Sequence, residues 1–486
     1  MFIGREAELT DLRREFAAKR PSLVIIYGRR RVGKSTLIQK AAKDRPSIYY
    51  QATRGLASDN LDMFKIAATA AIGDDGMIGE MPNWFTLLNH LATVAKRMPG
   101  LVVTFDEFPF LCEADASLPS AIQKFMDSGA PRRGNLKLVL CGSTIAFMSA
   151  LLAERNPLYG RQTGVFDIAP LSLRDTAAFF PAWPAADILT AYGILGGVPY
   201  YLESFDPDAS LQRNIIDVLL ARHGKLAEEP AYLLASETPG SPKFFSILRA
   251  IADGCTRSSE IKNRIAGDGG DRDVSWYLNR LIALRIVRAE KSMDALGRER
   301  DRHYVLDDPL MAFWFRFVRS SLSAIKLGRG EQVYRDRIAP GLAGYMGDAF
   351  EEICRQHVRL WSDEFPGSVV AGSPGEDVGK IWAGDYDIDV AAHLLDGSVV
   401  YGACKWRNQW LNEGVLERLV ACAGKTRFGA DAGRRHFLLF SKSGFSPGLE
   451  AMAAGDPLLH LVTLETIVGL PPGRNQNDVT GSFPVS

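Results

Sequence analysis

The segment Gly28-Arg29-Arg30-Arg31-Val32-Gly33-Lys34-Ser35 spaces two glycines, a lysine and a hydroxyl as a phosphate cradle needs them. The glycines let successive backbone N–H groups curl round an anion, and a helix starting at Lys34 would add the positive end of its dipole. Lys34 can reach the outer phosphates of ATP, Ser35 can ligate Mg²⁺, and Thr36 completes the set. Further along, Leu101-Val102-Val103-Thr104-Phe105-Asp106-Glu107 is an apolar run closed by two carboxylates. Asp106 would hold Mg²⁺ through water, and Glu107 would polarise an attacking water. The plain alternative is a strand ending in a solvated acidic turn. With the cradle upstream, the Asp-Glu couple points to a hydrolysing ATPase, because a kinase needs no water-activating Glu.

Two further residues fit the same chemistry less tightly. Ser143 ends the run Leu138–Gly142, where a hydroxyl could meet the γ-phosphate or the water; it could equally cap a helix. Arg161 precedes a short apolar segment and could stabilise transition-state charge, in cis or from a neighbouring subunit, with Arg155 as its competitor. A plain surface arginine fits as well.

The elements that must position these groups are short. Candidate strands are Ser22–Gly28, Ser47–Gln51, Leu101–Phe105, Leu136–Cys141 and Val165–Ile168, several apolar at nearly every position, as strands covered on both faces are. Helical patterns such as Lys34–Lys43 and Trp84–Lys96 alternate with them, so residues 1–240 read as an α/β domain with a parallel sheet and a helical lid. Residues 241–308 change character. Three short helices, Phe244–Ala252, Arg257–Ile265 and Asp273–Leu284, precede Arg285–Glu290 and His303–Leu306, the order of a winged helix-turn-helix. Residues 309–338 combine an aromatic helix at Pro309–Val318 with a charged linker at Gly328–Arg337. A last α/β unit spans 339–470, and the tail 471–486 is expected to be poorly ordered.

Composition sets bounds. The 486 residues are 47% hydrophobic and 23% charged, as a folded protein is, which excludes a disordered chain, a collagen or a coiled-coil rod. Lys plus Arg and Asp plus Glu each total 57, so the net charge is zero and any nucleic-acid surface must be local. Six scattered cysteines show no metal or disulfide spacing and read as reduced thiols of a cytoplasmic protein. The N-terminus lacks the apolar core of a signal peptide, and no apolar window is long enough to span a membrane.

Together, Phe2-Ile3-Gly4-Arg5-Glu6, the cradle, Asp106-Glu107, Cys141-Gly142-Ser143 and Gly196-Gly197-Val198-Pro199-Tyr200-Tyr201-Leu202 resemble the archaeal and bacterial AAA-type ATPases related to the signal-transducing ATPases with numerous domains. That resemblance implies that Phe2, Gly4, Arg5 and Pro199 border the adenine base. It also supports the winged helix. The last unit is similar to the module of unknown function that follows such ATPases, itself similar to restriction-endonuclease-like folds. That resemblance implies an acidic residue ending one strand and Glu-x-Lys on the next, the carboxylates holding a divalent metal. Asp389 and Lys405 match, with Glu351 upstream as a further ligand, but Ala403 stands where the Glu is expected. A degenerate nuclease that keeps DNA binding, a carboxylate taken over by Glu413 or Glu417, and a purely structural strand pair all remain open.

Charge favours binding. Residues 405–442 hold eight basic side chains against three acidic, and 243–302 hold thirteen against nine. On the third helix, Arg272, Ser275, Asn279 and Arg280 could reach a DNA groove, although winged helices also serve as protein-interaction modules. The reading is an ATP- and Mg²⁺-dependent switch that engages DNA, with an active nuclease or a regulatory scaffold that self-associates or binds protein as alternatives.

Overall fold

The structure is a computed structural model that describes residues 2–73, 76–238, 241–266, 274–294, 302–361 and 378–470. It divides into two compact units, one running to Leu171 with Val198–Tyr200 added, the other holding Ser172–Gly197 and the described residues from Tyr201 on.

In the first unit, strands β1 (Ser22–Tyr27), β2 (Ser47–Gln51), β3 (Val102–Asp106), β4 (Lys137–Gly142) and β5 (Gly164–Asp167) form one sheet in the order β2-β3-β4-β1-β5. Every neighbouring pair is parallel. Alternate residues feed two cores. Leu23, Ile25, Val103, Phe105, Leu138 and Leu140 pack with Phe64, Trp84 and Phe125 on one face. Val24, Ile26, Val102, Val139 and Cys141 pack with Leu12, Phe16, Leu37 and Ile38 on the other. Burial on both faces explains why these strands are apolar without alternation. β2 has its expected bounds, β1 ends one residue early, and the other three strands are shifted by one residue, so β3 ends on Asp106, paired with Gln51 of β2.

In the second unit, helices Lys243–Ala252, Ser258–Ala266 and Ser275–Ala283 precede an antiparallel ribbon of β6 (Val287–Glu290) and β7 (His303–Leu306). Phe244, Ile247, Leu248, Ile261, Leu278 and Leu281 are buried, the apolar faces that hold three short helices together. Arg272, Asp273 and the ribbon tip lie outside the described residues.

The aromatic segment is helical as expected, with Asp308 capping it by accepting from Met311 N. The stretch expected as a charged linker is helical too: Gly330–Val333 and Tyr334–Ile338 run into the long helix Ala339–Trp361. The charged side chains of that stretch are exposed, while Gly330, Val333 and Ile338 are buried.

After that helix come β8 (Val378–Trp382), β9 (Asp387–His393), β10 (Val399–Lys405), helix Glu413–Ala423, β11 (Arg435–Ser441), helix Pro447–Gly455 and β12 (Leu459–Thr463). The sheet order is β12-β11-β10-β9-β8. β8, β9 and β10 pair antiparallel; β10, β11 and β12 pair parallel. The tail from 471 lies outside the described residues. Among the described residues, no helix is long and apolar enough to cross a membrane.

Candidate functional site

The loop after β1 requires its glycines. Gly28 has φ 152°, and a Cβ there would stand 2.3 Å from the Ile168 carbonyl oxygen. Gly33, with φ 91°, is the N-cap of helix Lys34–Ala42 and adopts the left-handed geometry that costs a side chain most. Arg31 is left-handed as well, its guanidinium 4.3 Å from the centre of the Tyr200 ring. Lys34 is buried and folds back over the loop, donating to the carbonyls of Gly28 (2.8 Å) and Arg29 (2.9 Å). Burial lowers its pKa against the pull of Glu107 and Asp106. Val32 is buried beneath the loop.

The acidic couple meets this loop. Asp106 Oδ2 accepts from Ser35 Oγ at 2.8 Å and from the Tyr49 hydroxyl, while Oδ1 accepts from Glu107 N at 2.9 Å. All three donors are neutral. Burial, then the Asp106 charge, pushes the Tyr49 phenol far above its usual range, so it stays a donor. Glu107 is left-handed at φ 52°, and its carboxylate accepts from Ser143 Oγ at 2.9 and 3.0 Å. Because β4 lies between β1 and β3, the residue that follows it is delivered to Glu107. The capping alternative for Ser143 is not observed: Thr144 is the N-cap of the next helix.

The residues expected at the base stand near the loop. Arg5, left-handed and buried, donates to the carbonyls of Val32 (3.1 Å) and Ala169, so it ties the loop to the segment after β5. Gly4 has φ 67°, the Phe2 ring lies 4.0 Å from the Lys40 ammonium, and Pro199 sits 3.9 Å from where a Gly33 Cβ would be. Thr36 lies in the first turn of the helix that follows the loop. Arg161 is engaged elsewhere: Nε and Nη2 hold Asp127 at 2.9 and 2.8 Å, and Nη1 donates to Pro157 and Tyr159 carbonyls. Arg155 is exposed.

The second expected cluster forms in the other unit. Asp389 Oδ2 accepts from Cys404 N (2.7 Å) and Lys405 Nζ (3.1 Å). Arg355 donates to the Asp389 carbonyl at 2.9 Å and lies 3.7 Å from Glu351. Burial, then the Asp389 charge, pushes Glu351 up to about 7. Ala403 is buried in the apolar core. Glu413 bonds the Ser446 hydroxyl at 2.9 Å, and Glu417 is exposed. Among the described residues, no group of three or more His, Cys, Asp or Glu side chains could hold a metal ion. Of the groove candidates, Ser275 and Asn279 are exposed and Arg280 is half-buried.

Sequence reasoning missed Tyr49 and Arg355. Ile48 and Tyr50 belong to the opposite core, so period-2 alternation turns Tyr49 to the Asp106 face once β2 and β3 are neighbours. Nothing local to Tyr49 announces that neighbour.

The donor set fits a nucleotide with Mg²⁺. A glycine-shaped loop at a helix N-terminus, a buried lysine bonded to the loop's own carbonyls, and a hydroxyl converging on a carboxylate are the groups such a ligand requires.

Comparison with known proteins agrees. Residues 2–205 match a family described as an ATPase domain predominantly from Archaea, and residues 314–418 match a family of archaeal and bacterial proteins of unknown function. An uncharacterized protein of Methanocaldococcus jannaschii is 28% identical over 418 residues, 84% of this chain and 88% of that one. An uncharacterized ATP-binding protein of the same organism is 44% identical over 45 residues, 9% of this chain and 76% of that one. A solved Walker-type ATPase of Pyrococcus abyssi is similar in fold, with a TM-score of 0.51 and 21% identity, covering 65% of this chain and 96% of that one. Residues 2–205 of this chain are thus similar to the ATPase domains found predominantly in Archaea.

Proposed function

We propose that the chain is an ATP-hydrolysing switch whose later elements engage DNA. The observation that carries the reading is the convergence of Ser35 and Asp106 at 2.8 Å beside the glycine loop, with Glu107 one residue on. Mg²⁺ supplies charge neutralisation between phosphates, and Ser35 and Asp106 are the residues that would hold it. Lys34 would exchange the Gly28 and Arg29 carbonyls for phosphate oxygens. Glu107 would leave the Ser143 hydroxyl to orient water. Phe2, Gly4, Arg5 and Pro199 would border the base, and Arg161 could act on transition-state charge only after releasing Asp127. Such loop rearrangements on binding and hydrolysis are how nucleotide switches work.

The domain reading that goes with this is an ATPase domain with lid (1–240), a winged helix (241–308), an aromatic helix and its extension (309–338), and a restriction-endonuclease-like domain (339–470). Three helices before a ribbon support the second of these, and a helix, three antiparallel strands, a helix and a parallel strand support the last. Ser275, Asn279 and Arg280 would face DNA. The pairing of Asp389 with Lys405, and Ala403 in place of a carboxylate, support a degenerate domain that holds nucleic acid without cutting it. One observation favours a protein partner for the third helix instead: Trp276 is exposed beside Ser275.

Phosphate release tests the core of this. Lys34→Ala should abolish ATP binding, and Glu107→Gln should bind ATP but not turn it over; unaltered release by either variant overturns the site. DNA affinity at two ionic strengths tests the second half, with a flat or absent signal assigning the later elements to protein partners. Metal-dependent plasmid cleavage that disappears in Asp389→Ala would instead restore the nuclease.

A further inference from the structure

The C-terminal ends of neighbouring parallel strands are where α/β sheets present their loops to ligands. At the ends of β10 and β11, residues 405–411 and 442–446 form such a pair. The first reads Lys405-Trp406-Arg407-Asn408-Gln409-Trp410-Leu411. It is held rigidly against the second. Lys442 N donates to Lys405 O at 3.2 Å, Ser443 Oγ to Arg407 O at 2.8 Å, Lys442 Nζ to Asn408 Oδ1 at 2.7 Å and Leu411 N to Gly444 O at 3.1 Å. Leu411 is fully buried and anchors the far end.

On this frame Trp410 is 63% exposed, although it precedes a buried leucine in a well-bonded loop. Trp406 is half-buried, its ring 5.2 Å from Phe350 and 5.1 Å from the Lys442 ammonium. Arg407 is exposed and Lys405 is 39% exposed; of the neighbouring carboxylates, Asp389 is answered by Lys405 and Glu413 by the Ser446 hydroxyl. Asp187 offsets part of the Lys442 charge. An exposed indole on a loop that also carries the exposed Arg407, beside a second loop whose Lys442 lies over Trp406, lacks the apolar rim of a protein-binding hot spot. It has the parts of a surface on which an unpaired base stacks while cations track the backbone.

We infer that the paired loops 405–411 and 442–446 bind single-stranded DNA, with a base stacked on Trp410 and phosphates met by Arg407 and Lys442. The inference deepens the DNA-engagement reading above and rests on it. Duplex does not fit this surface, because paired bases have no free face to offer the indole.

Fluorescence anisotropy of the full chain with a labelled oligo(dT), and with a duplex of equal length, tests it at two ionic strengths. Trp410→Ala should weaken oligo(dT) binding about 10-fold or more and leave duplex affinity within about twofold, while Trp410→Phe keeps most of the affinity. Arg407→Ala and Lys442→Ala should each reduce the salt slope by about 0.7. A melting temperature equal to wild type confirms that each variant is folded. Unchanged oligo(dT) binding by Trp410→Ala, or wild type that binds duplex alone, overturns the platform and leaves the DNA reading standing. Wild type that binds neither DNA overturns both.

Discussion

Each unit of this protein has a sheet edge with an aspartate, a lysine and a second acidic residue, and the two edges handle charge differently. At the end of β3, the partners of Asp106 among the described residues are neutral, the Ser35 and Tyr49 hydroxyls, a backbone N–H and the Cys141 thiol, while Lys34 turns to backbone carbonyls. Near the start of β9, Asp389 is bonded directly by the ammonium of Lys405, with the guanidinium of Arg355 on its carbonyl. The first arrangement keeps opposite charges apart on a buried floor, which is costly unless a charged ligand arrives. The second is neutralised from within. The same residue types therefore make a site that calls for a cation and an anion in one place, and an internally paired one in the other.

The sharpest way to break this contrast is to alter both aspartates. Asp106→Asn should lower ATP turnover by at least about 100-fold while costing only about 1 kcal/mol of stability, since an amide oxygen still accepts from Ser35 and Tyr49, its NH2 faces the Glu107 N–H, and it carries no charge for Mg²⁺. Asp389→Ala should do the reverse, costing about 2 kcal/mol of stability by leaving the Cys404 N–H and the Lys405 charge unanswered; chemical denaturation measures it. If Asp389→Ala is as stable as wild type, the internal pairing is not what that site is for.

A smaller effect sharpens the account of the first edge. Tyr49→Phe removes one donor from Asp106, a loss of about 1 kcal/mol in how firmly that carboxylate is oriented. The Mg²⁺ concentration needed for half-maximal nucleotide binding should rise several-fold, as read by calorimetry, with stability nearly unchanged. No change in Mg²⁺ requirement would reduce Tyr49 to packing.

The smallest effect concerns pH. His436 Nδ1 and His460 Nε2 lie 3.0 Å apart on β11 and β12, and burial first of all lowers both pKa values from 6.5. A depressed folded-state pKa favours the folded state when the ring is neutral. This stabilisation is present above about pH 6.5 and lost as pH falls through the lowered values. Melting temperatures between pH 7.5 and 5 should decline less in His460→Gln than in wild type, while the ATPase unit keeps its own profile.

Much of the first site was legible because it is nearly contiguous. Gly28, Gly33, Lys34 and Ser35 need only a strand before them and a helix after, and that local order is written in the apolar runs. Asp106-Glu107 was legible from an apolar strand closing on two acids. The role of Arg5 was less so: its bonds go to Val32 and Ala169, the latter 164 residues away, and no spacing rule reaches that far. The helix at Gly330–Ile338 was read as a linker because its many charges hide the few buried positions, Gly330, Val333 and Ile338. Arg355 was missed because an arginine in a long helix reads as solvated until the strands beside it are known.

By itself the sequence determined the local chemistry: which loop can wrap a phosphate, which strands end in carboxylates, and that position 403 has only a methyl group to offer. These depend on residue type and near neighbours, where backbone geometry and period are short-ranged. Only the tertiary structure decided strand order. Inserting β4 between β1 and β3 brings Ser143 to Glu107, and pairing β2 with β3 brings Tyr49 to Asp106. Parallel strands can be joined by crossovers in several orders with equal local propensity, and the choice is made by how two apolar faces are covered at once.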